Sequence, residues 1–387
     1  MKKLLTLLMA VVLCFTVNAQ TTTKTMNWDD SVRQYIEYIP ASYNANSPAP
    51  VLFILHGLGD DMNNMFYGTG FQTYADQHGW ILITPQATEA VVSLMGQSFS
   101  LGTAWNSGIQ GSIYGMTIAI NPEVDDSGFL MAILDDLVAH YNVDQEHVFV
   151  TGFSMGGFMS HRMAIEHADR IKAIAAVSGT IGNMMQDQTP VGNVSVMHIH
   201  GTADGMVGYD GNMSMQGITM QIGLGAEATV DFWRNFNQCS ATPNVHNFND
   251  NADDGLTFEQ YEYTGGQNGT KTVFIKCNGG DHQWYSSPTN DIDYTAEIFD
   301  FFHSFVRPTS LDENSIEVSI YPNPASDVLH VSAEEMVKVA VYDMTGRQVY
   351  EGNQQEISLT TLTDGLYLVQ VTLSNGRVIN QKISVMR

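Results

Sequence analysis

The hydrophobic positions of this chain follow two different patterns, and the change between them falls near residue 310. In the first part, short continuous runs of aliphatic and aromatic residues alternate with stretches of helical spacing. Continuous runs are typical of parallel strands buried on both faces, so the alternation predicts an α/β domain with a mostly parallel sheet and helices on both faces. The predicted strands are 31–39, 51–55, 80–84, 148–151, 171–177, 194–200, 258–263 and 272–276, and the predicted helices are 64–77, 128–141, 158–164, 226–236 and 291–306.

The second part shows only the two-residue alternation of strands that are buried on one face. Turn residues such as those around Gly346 and Gly376 separate its short segments, and several short strands at this spacing predict a small β-sandwich. A polar stretch without a pattern precedes it. We therefore predict four parts: a leader at 1–19, an α/β domain at 20–307, a linker at 308–315 and a C-terminal β-sandwich at 316–387.

The leader has the composition of a secretory signal peptide. Two lysines precede an apolar run, and Ala19 ends a small-residue cleavage site before Gln20. The run is shorter than the roughly 20 apolar residues that a membrane-spanning helix needs, and no later run approaches that length. Cleavage after Ala19 and export are therefore expected. A lipid anchor on Cys14 is the weaker alternative, because Leu13 is large where lipoprotein signals carry a small residue.

The composition excludes some classes of partner. The chain has 387 residues and a formal charge of −25, and only 16 of its residues are Lys or Arg. Without a basic surface, we do not expect the protein to bind nucleic acid or anionic membranes.

The cysteine count suggests one covalent link. Cys14 leaves with the signal peptide, so Cys239 and Cys277 remain in the mature chain. An even pair in an exported protein is a disulfide candidate, with two free buried thiols as the alternative. We predict a bond between Cys239 and Cys277 and expect it to anchor the segment that follows.

The clearest chemical signal is the sequence Gly-Phe-Ser-Met-Gly at residues 152–156. It matches the Gly-x-Ser-x-Gly nucleophile elbow, in which a serine occupies the tip of a strained strand-to-helix turn. The alternative is an ordinary glycine turn with an incidental serine. The predicted strand before it and the helical spacing after it favour the elbow, so Ser154 is the predicted nucleophile.

Two further polar residues, Asp204 and His282, each lie a few residues past the end of a predicted strand. A serine needs an imidazole to take its proton, and the imidazole needs a carboxylate to orient it. The order nucleophile, acid, base is that of α/β-hydrolases. We predict a catalytic triad of Ser154, Asp204 and His282, with the main-chain N–H groups of Leu58 and Met155 as the oxyanion hole.

The other histidines are weaker candidates for chemistry. His198 and His200 lie within a predicted strand, where core residues are expected, and His56 is expected to brace the oxyanion turn. No spacing among the twelve histidines is typical of a metal site. We therefore expect neither a metal nor a cofactor.

Five blocks of the α/β part occur in the order of one known group of enzymes. They are His56-Gly57, Asp125 to Phe129, Gly152 to Gly157, His200 to Asp204 with Val207 to Gly211, and Gly279 to Trp284. Through these blocks the chain over residues 31–306 resembles the feruloyl esterase, acetyl xylan esterase and polyhydroxybutyrate depolymerase group of α/β-hydrolases, which implies ester hydrolysis by the predicted triad. Leu58 and Tyr285 depart from the cysteine and proline that members often carry there, and both positions are expected to lie beside the pocket.

The C-terminal part has a second resemblance. Tyr321-Pro-Asn-Pro-Ala325, the stretch 341–347 and the stretch 362–371 are similar to the C-terminal sorting domain of the type IX secretion system. The resemblance implies a second export step through that secretion machinery, after which the tail is removed or used for attachment to the cell surface. A carbohydrate-binding or spacer sandwich is the alternative.

Three aromatic residues are candidates for substrate contact. Trp105 lies in a Gly- and Ser-rich insertion at 85–122, Trp284 follows His282, and Tyr209 lies in one of the shared blocks. Flat apolar rings suit an aryl acyl group or a sugar ring. The alternative is that these rings only pack the domain.

Together these observations predict a secreted serine ester hydrolase that acts on feruloyl or acetyl esters of plant cell-wall polysaccharide. The expected substrate is a polysaccharide-linked or small ester. A polyhydroxybutyrate depolymerase or a serine peptidase on the same scaffold is the alternative among enzymes. A non-catalytic surface binding protein is the alternative outside them.

Overall fold

The computed structural model describes residues 19–94, 97–113, 116–215, 218–306, 319–332, 336–343, 346–373 and 378–386. The chain divides into two compact units, Met1–Arg307 and Pro308–Arg387. The predicted signal peptide, apart from Ala19, and the predicted linker lie outside the described residues.

The first unit alternates strands and helices along most of its length. Its helices are α1 Met62–Thr69, α2 Phe71–His78, α3 Asp126–His140, α4 Met155–Glu166, α5 Ala226–Phe236 and α6 Tyr294–Val306. Its strands are β1 Gln20–Trp28, β2 Ser31–Ile39, β3 Ala49–Leu55, β4 Ile81–Pro85, β5 Thr88–Leu94, β6 Gln97–Ala104, β7 Gln110–Ile113, β8 Met116–Ala119, β9 Val143–Phe153, β10 Ala173–Val177, β11 Ser195–Gly201, β12 Asn212–Met215, β13 Ile218–Gln221, β14 Asn244–Asn247, β15 Thr257–Tyr263 and β16 Thr272–Asn278.

Ten of these strands form one sheet in the order β1-β2-β4-β3-β9-β10-β11-β16-β15-β14. The six strands from β4 to β16 in this order are parallel, and an antiparallel pair extends the sheet at each edge. All seven residues of β3 are buried, because α3, α4 and α5 cover one face while α1, α2 and α6 cover the other. The predicted fold class is confirmed. Parallel strands bring their carboxyl ends to one edge of the sheet, where sites of this fold class form.

The helix predicted at 64–77 is two helices in the structure. Gly70 has a φ of +74° between α1 and α2, a backbone conformation that a continuous helix cannot contain. Asp61 begins α1, because its carboxylate accepts the main-chain N–H groups of Asn63 and Asn64. The second helix, α2, ends at His78, and Gly79 leads from it towards β4.

The Gly- and Ser-rich insertion at 85–122 contains regular secondary structure. It forms the hairpins β5–β6 and β7–β8, and all residues from Ala104 to Ile109 between them are buried. A third hairpin, β12–β13, contacts β7 through Met220, which lies against Gly111. The short strands lack a regular hydrophobic alternation, so their sequences gave no signal of pairing.

The predicted disulfide is wrong, because both cysteines are free. The Sγ atom of Cys239 lies 3.8 Å from the Oγ1 atom of Thr272, the first residue of β16. Cys277 is five residues further along the same strand, about 17 Å away at roughly 3.3 Å per residue. A disulfide needs Cα atoms within about 7 Å of each other. An even cysteine count cannot reveal that the two thiols lie towards opposite ends of one strand.

The second unit is an antiparallel β-sandwich. One sheet has the order β17-β18-β21 and the other the order β20-β19-β22-β23, and Leu329, Val341 and Val369 are among the aliphatic residues of their common core. The predicted sandwich is therefore confirmed. Its strands are β17 Ser319–Tyr321, β18 Val328–Ser332, β19 Met336–Asp343, β20 Gln348–Gly352, β21 Glu356–Ser358, β22 Gly365–Leu373 and β23 Val378–Val385.

Candidate active site

Ser154 occupies the turn between β9 and α4. Its φ of 55° and ψ of −119° lie in a region that non-glycine residues rarely adopt. The turn requires glycines on both sides of the serine, because side chains there would collide with the backbone. A Cβ atom on Gly156 would lie 2.1 Å from the carbonyl oxygen of Leu55, and one on Gly152 would lie 2.3 Å from that of Gly156. The predicted elbow geometry is present.

Asp204 and His282 meet at the carboxyl edge of the sheet, past the ends of the neighbouring strands β11 and β16. The Oδ2 atom of Asp204 lies 2.8 Å from the Nδ1 atom of His282. A carboxylate can only accept, so Nδ1 carries the proton and donates it, which leaves Nε2 as the basic nitrogen. The imidazole packs on the ring of Phe153, directly before Ser154, at 4.8 Å between centroids.

The carboxylate of Asp204 is buried and fully engaged. Its Oδ1 atom accepts the main-chain N–H groups of Met206 and Val207, at 3.0 and 2.9 Å. Burial alone raises the pKa of this carboxyl, but the hydrogen bonds from His282 and Val207 outweigh it and hold the pKa below its usual range. Asp204 is therefore ionised at neutral pH and can stabilise a positive charge on His282.

Ser154 and His282 line one cavity of about 220 Å³. The wall is mainly apolar, and Asp60 is the one carboxylate among the described lining residues. The lining residues are Gly57, Leu58, Asp60, Ile109, Phe153, Ser154, Met155, Phe158, Met206, Val207, Met213 and His282.

The predicted oxyanion residues lie on the wall of the same cavity. A Cβ atom on Gly57 would be 3.4 Å from the Cβ atom of Ser154, so the turn after β3 lies beside the nucleophile. No described residue accepts a hydrogen bond from the main-chain N–H of Leu58 or Met155. Met155 is also the first residue of α4, where N–H groups have no partner within the helix. Both N–H groups are thus available to an oxyanion.

His56 is excluded as a base because both of its ring nitrogens are engaged. Nε2 accepts the N–H of Ala87 at 3.1 Å, and Nδ1 donates to the carbonyl oxygen of Gly57 at 2.8 Å. Burial lowers the pKa of this imidazole, so it is neutral. Its hydrogen bonds hold the oxyanion turn in place.

Three more histidines, His161, His198 and His200, are fully buried and lie outside the cavity. Burial lowers the pKa of each, to about 3 for His161. The Nε2 atom of His200 donates to the carbonyl oxygen of Val207 at 2.9 Å and so supports the loop that carries Asp204. No group of His, Cys, Asp or Glu in the described part of the chain is arranged to hold a metal ion.

The structure corrects the prediction for Trp105. The side chain is 0% exposed, and its Nε1 atom donates to the carbonyl oxygen of His56 at 2.9 Å, so it cannot contact a substrate. Trp284 donates to Thr295 and packs against the core. Tyr209 donates to Glu227. Neither of these two is among the described residues that line the cavity.

Other lining residues had no signal in the sequence. Met213 lies in the hairpin β12–β13, and Ile109 lies in the buried stretch between two hairpins. Met206 follows Asp204 by two residues and is largely exposed. The packing of the hairpins against the end of the sheet brings Met213 and Ile109 to Ser154, whereas Met206 arrives with the loop that carries Asp204.

Comparison with known proteins agrees with both resemblances. Residues 41–223 match the family model described as phospholipase/carboxylesterase, and residues 319–386 match the secretion system C-terminal sorting domain. The resemblances predicted from the motifs are therefore confirmed, and the first unit has the α/β-hydrolase fold. The sorting domain makes the protein an exported one, either secreted or attached to the cell surface.

Individual relatives cover parts of the chain. The bifunctional acetylxylan esterase/xylanase XynS20E of Neocallimastix patriciarum is 28% identical over 173 residues, which are 44% of this chain and 21% of that protein. Probable feruloyl esterase C of Aspergillus oryzae is 30% identical over 190 residues, 47% of this chain and 59% of that protein. The chain thus spans less than two thirds of the length of either relative.

Among solved structures, the acetyl xylan esterase from Aspergillus awamori has a TM-score of 0.47 at 15% identity, covering 74% of this chain and 99% of that one. Separately, no helix within the described ranges is long and apolar enough to cross a membrane.

Proposed function

We propose that the protein is a secreted serine esterase with Ser154, His282 and Asp204 as its triad, since residues 41–223 match the phospholipase/carboxylesterase model and residues 319–386 match the sorting domain. One observation carries the proposal. The 2.8 Å contact between Asp204 and His282 orients an imidazole that lines the same cavity as the strained Ser154.

In the proposed reaction, the Oγ atom of Ser154 attacks the ester carbonyl carbon while Nε2 of His282 takes the hydroxyl proton. The N–H groups of Leu58 and Met155 stabilise the oxyanion that forms, an effect of about 3 kcal/mol for each donor. The imidazolium then gives its proton to the departing alcohol. Water repeats the sequence on the acyl-enzyme, with His282 again as the base.

We propose feruloyl or acetyl esters of plant cell-wall polysaccharide as the substrates. The apolar lining suits an uncharged acyl group, and the carboxylate of Asp60 disfavours an acyl group that carries its own negative charge. The two esterase relatives support this class of substrate. The sorting domain supports a place outside the cell, where intact polysaccharide is accessible, and implies the secretion machinery as a partner.

A covalent probe and a substrate panel test the proposal. A fluorophosphonate should label wild-type protein and leave Ser154→Ala unlabelled; labelling of both would exclude Ser154 as the nucleophile. The panel compares methyl ferulate, acetylated xylan, polyhydroxybutyrate and a peptide amide. Cleavage of the first two supports cell-wall esters. Cleavage of only the polyester or only the peptide would mean that the protein is a depolymerase or a peptidase that uses the same triad.

A further inference from the structure

The oxyanion turn, residues 56–60, has no helix or sheet ladder to hold it. The direction of the Leu58 N–H depends only on the backbone of this turn. A donor stabilises a transition state only when it is aimed at the position where the charge develops, and a supporting shell has to keep it there. The contacts of the turn therefore decide how well it works.

Before Leu58, the turn is held by Trp105. The indole Nε1 donates to the carbonyl oxygen of His56 at 2.9 Å, and the indole ring packs on the imidazole at 5.1 Å between centroids. This imidazole is itself fixed by Gly57 and Ala87. The first half of the turn thus has a buried donor on its backbone.

After Leu58, the turn is held by Thr103. Its carbonyl oxygen accepts the N–H of Gly59 at 2.8 Å, and its hydroxyl donates to the carbonyl oxygen of Asp60. The two segments approach so closely that a Cβ atom on Gly102 would lie 2.9 Å from the Cα atom of Gly59. Thr103 and Trp105 therefore hold the backbone on both sides of Leu58.

The segment is attached to the body of the domain directly after Trp105. The N–H of Asn106 donates to the buried carboxylate of Asp126 at 2.6 Å, and Asp126 pairs with Arg33 at 2.6 Å. From the elbow helix α4, Arg162 donates to the carbonyl oxygen of Asn106 at 2.5 Å. One segment thus connects the Leu58 turn to the helix that begins with Met155.

We propose that residues 103–105, which we name the oxyanion clamp, are the positioning element for the Leu58 N–H. The inference rests on the proposed function. Neither Thr103 nor Trp105 is among the described residues that line the cavity, so the clamp acts through the turn and not through the substrate. Losing it should weaken transition-state stabilisation while leaving ground-state binding nearly unchanged.

Two substitutions test the clamp. Trp105→Phe removes the indole donor and keeps an aromatic ring, and Thr103→Val removes the hydroxyl at nearly constant shape. Each should lower kcat about tenfold or more, for an acetyl ester and an aryl ester alike, with KM within about twofold of wild type. The loss should stay below the 10²- to 10³-fold expected for deleting an oxyanion donor itself. Affinity for a boronic acid, which forms a tetrahedral adduct with the serine, should fall by the same factor as kcat.

Matched controls separate positioning from general stability. Thr103→Ser keeps the hydroxyl and should recover most of the activity. Trp80→Phe alters an equally buried tryptophan that stacks on Phe149 and whose indole has no hydrogen-bond partner in the described part of the chain. Its kcat should match that of wild type.

Three outcomes would overturn the inference. They are an unchanged kcat in Trp105→Phe and Thr103→Val, a rise in KM for the bulky ester alone, or an equal loss of kcat in Trp80→Phe and Thr103→Ser. The proposed function fails separately, if Ser154→Ala keeps its esterase activity. An inactive Ser154→Ala beside a fully active Trp105→Phe would reject the clamp only.

Discussion

The two units of the chain have interiors of different chemistry. The first unit encloses the Arg33–Asp126 ion pair, four neutral histidines and the carboxylate of Asp204. In the described part of the second unit, no charged, amide, imidazole or aliphatic hydroxyl side chain is buried. Burying polar groups costs free energy unless partners are supplied. The first unit carries such groups near the candidate site, where both ring nitrogens of the buried His198 lack a hydrogen-bond partner among the described residues. The described core of the second unit consists of aliphatic side chains and Tyr367.

The strongest test of this contrast changes a buried polar group that takes part in the chemistry. Asp204→Asn should reduce kcat by about 10⁴-fold, because the amide can stabilise the wrong tautomer of His282. Circular dichroism should show an intact fold, and Asp210→Asn, an exposed carboxylate in the same segment, should remain active. More than a tenth of wild-type activity in Asp204→Asn would remove Asp204 from the triad.

The next test compares one ion pair from each unit. Asp126→Asn leaves the Arg33 guanidinium buried without a counter-charge and should lower the free energy of unfolding by about 3–5 kcal/mol. Lys338 and Glu351 form a pair of similar length, 2.8 Å, but nearly half of each side chain is exposed to solvent. Lys338→Gln should have no measurable effect on urea denaturation. Equal losses of unfolding free energy in the two variants would show that burying an ion pair does not increase the cost of breaking it.

Acid should affect the first unit before the second. Burial lowers the pKa of His161, His198 and His200, so below about pH 6.5 the unfolded chain binds protons that the folded unit cannot. The free energy of unfolding should therefore fall as the pH decreases below about 6.5. For His161, whose pKa is about 3, the fall is about 1.4 kcal/mol per pH unit down to that value, and His198 and His200 act in the same direction. His330, the one histidine of the second unit, has a partly exposed side chain.

Tryptophan fluorescence measures this acid effect selectively, because all five tryptophans precede residue 307. His161→Gln should reduce the slope of the unfolding free energy against pH by about 1.4 kcal/mol per pH unit. A stability that stays constant between pH 7 and pH 4 would contradict the buried, neutral state of these imidazoles.

Removing the second unit should have the smallest effect on catalysis. Truncation after Arg307 should leave kcat and KM for small esters within about twofold, since every proposed catalytic residue precedes it. The same truncation should prevent delivery outside the cell, measured as esterase activity in the culture medium. If the truncated protein is unfolded, or if it still reaches the medium, then catalysis and export are not assigned to separate units.

The sequence predicted the parts of the site that follow from strand ends. Ser154, Asp204 and His282 could be located because buried parallel strands have recognisable sequences and their ends share one edge of the sheet. Trp105 was misassigned because an aromatic residue in a Gly- and Ser-rich insertion looks the same whether it faces a ligand or the core. Met213 and the oxyanion clamp depend on hairpin packing between distant segments, for which one sequence contains no local signal.

The distance between the two thiols has a practical consequence. Because Cys239 and Cys277 lie too far apart to pair within one molecule, we expect the protein to fold without an oxidising enzyme. Expression of residues 20–387 in the reducing cytosol of a laboratory bacterium, with a reductant in the storage buffer, should therefore give folded protein. Differences between variants purified in this way would then reflect the substitution and not incomplete oxidation.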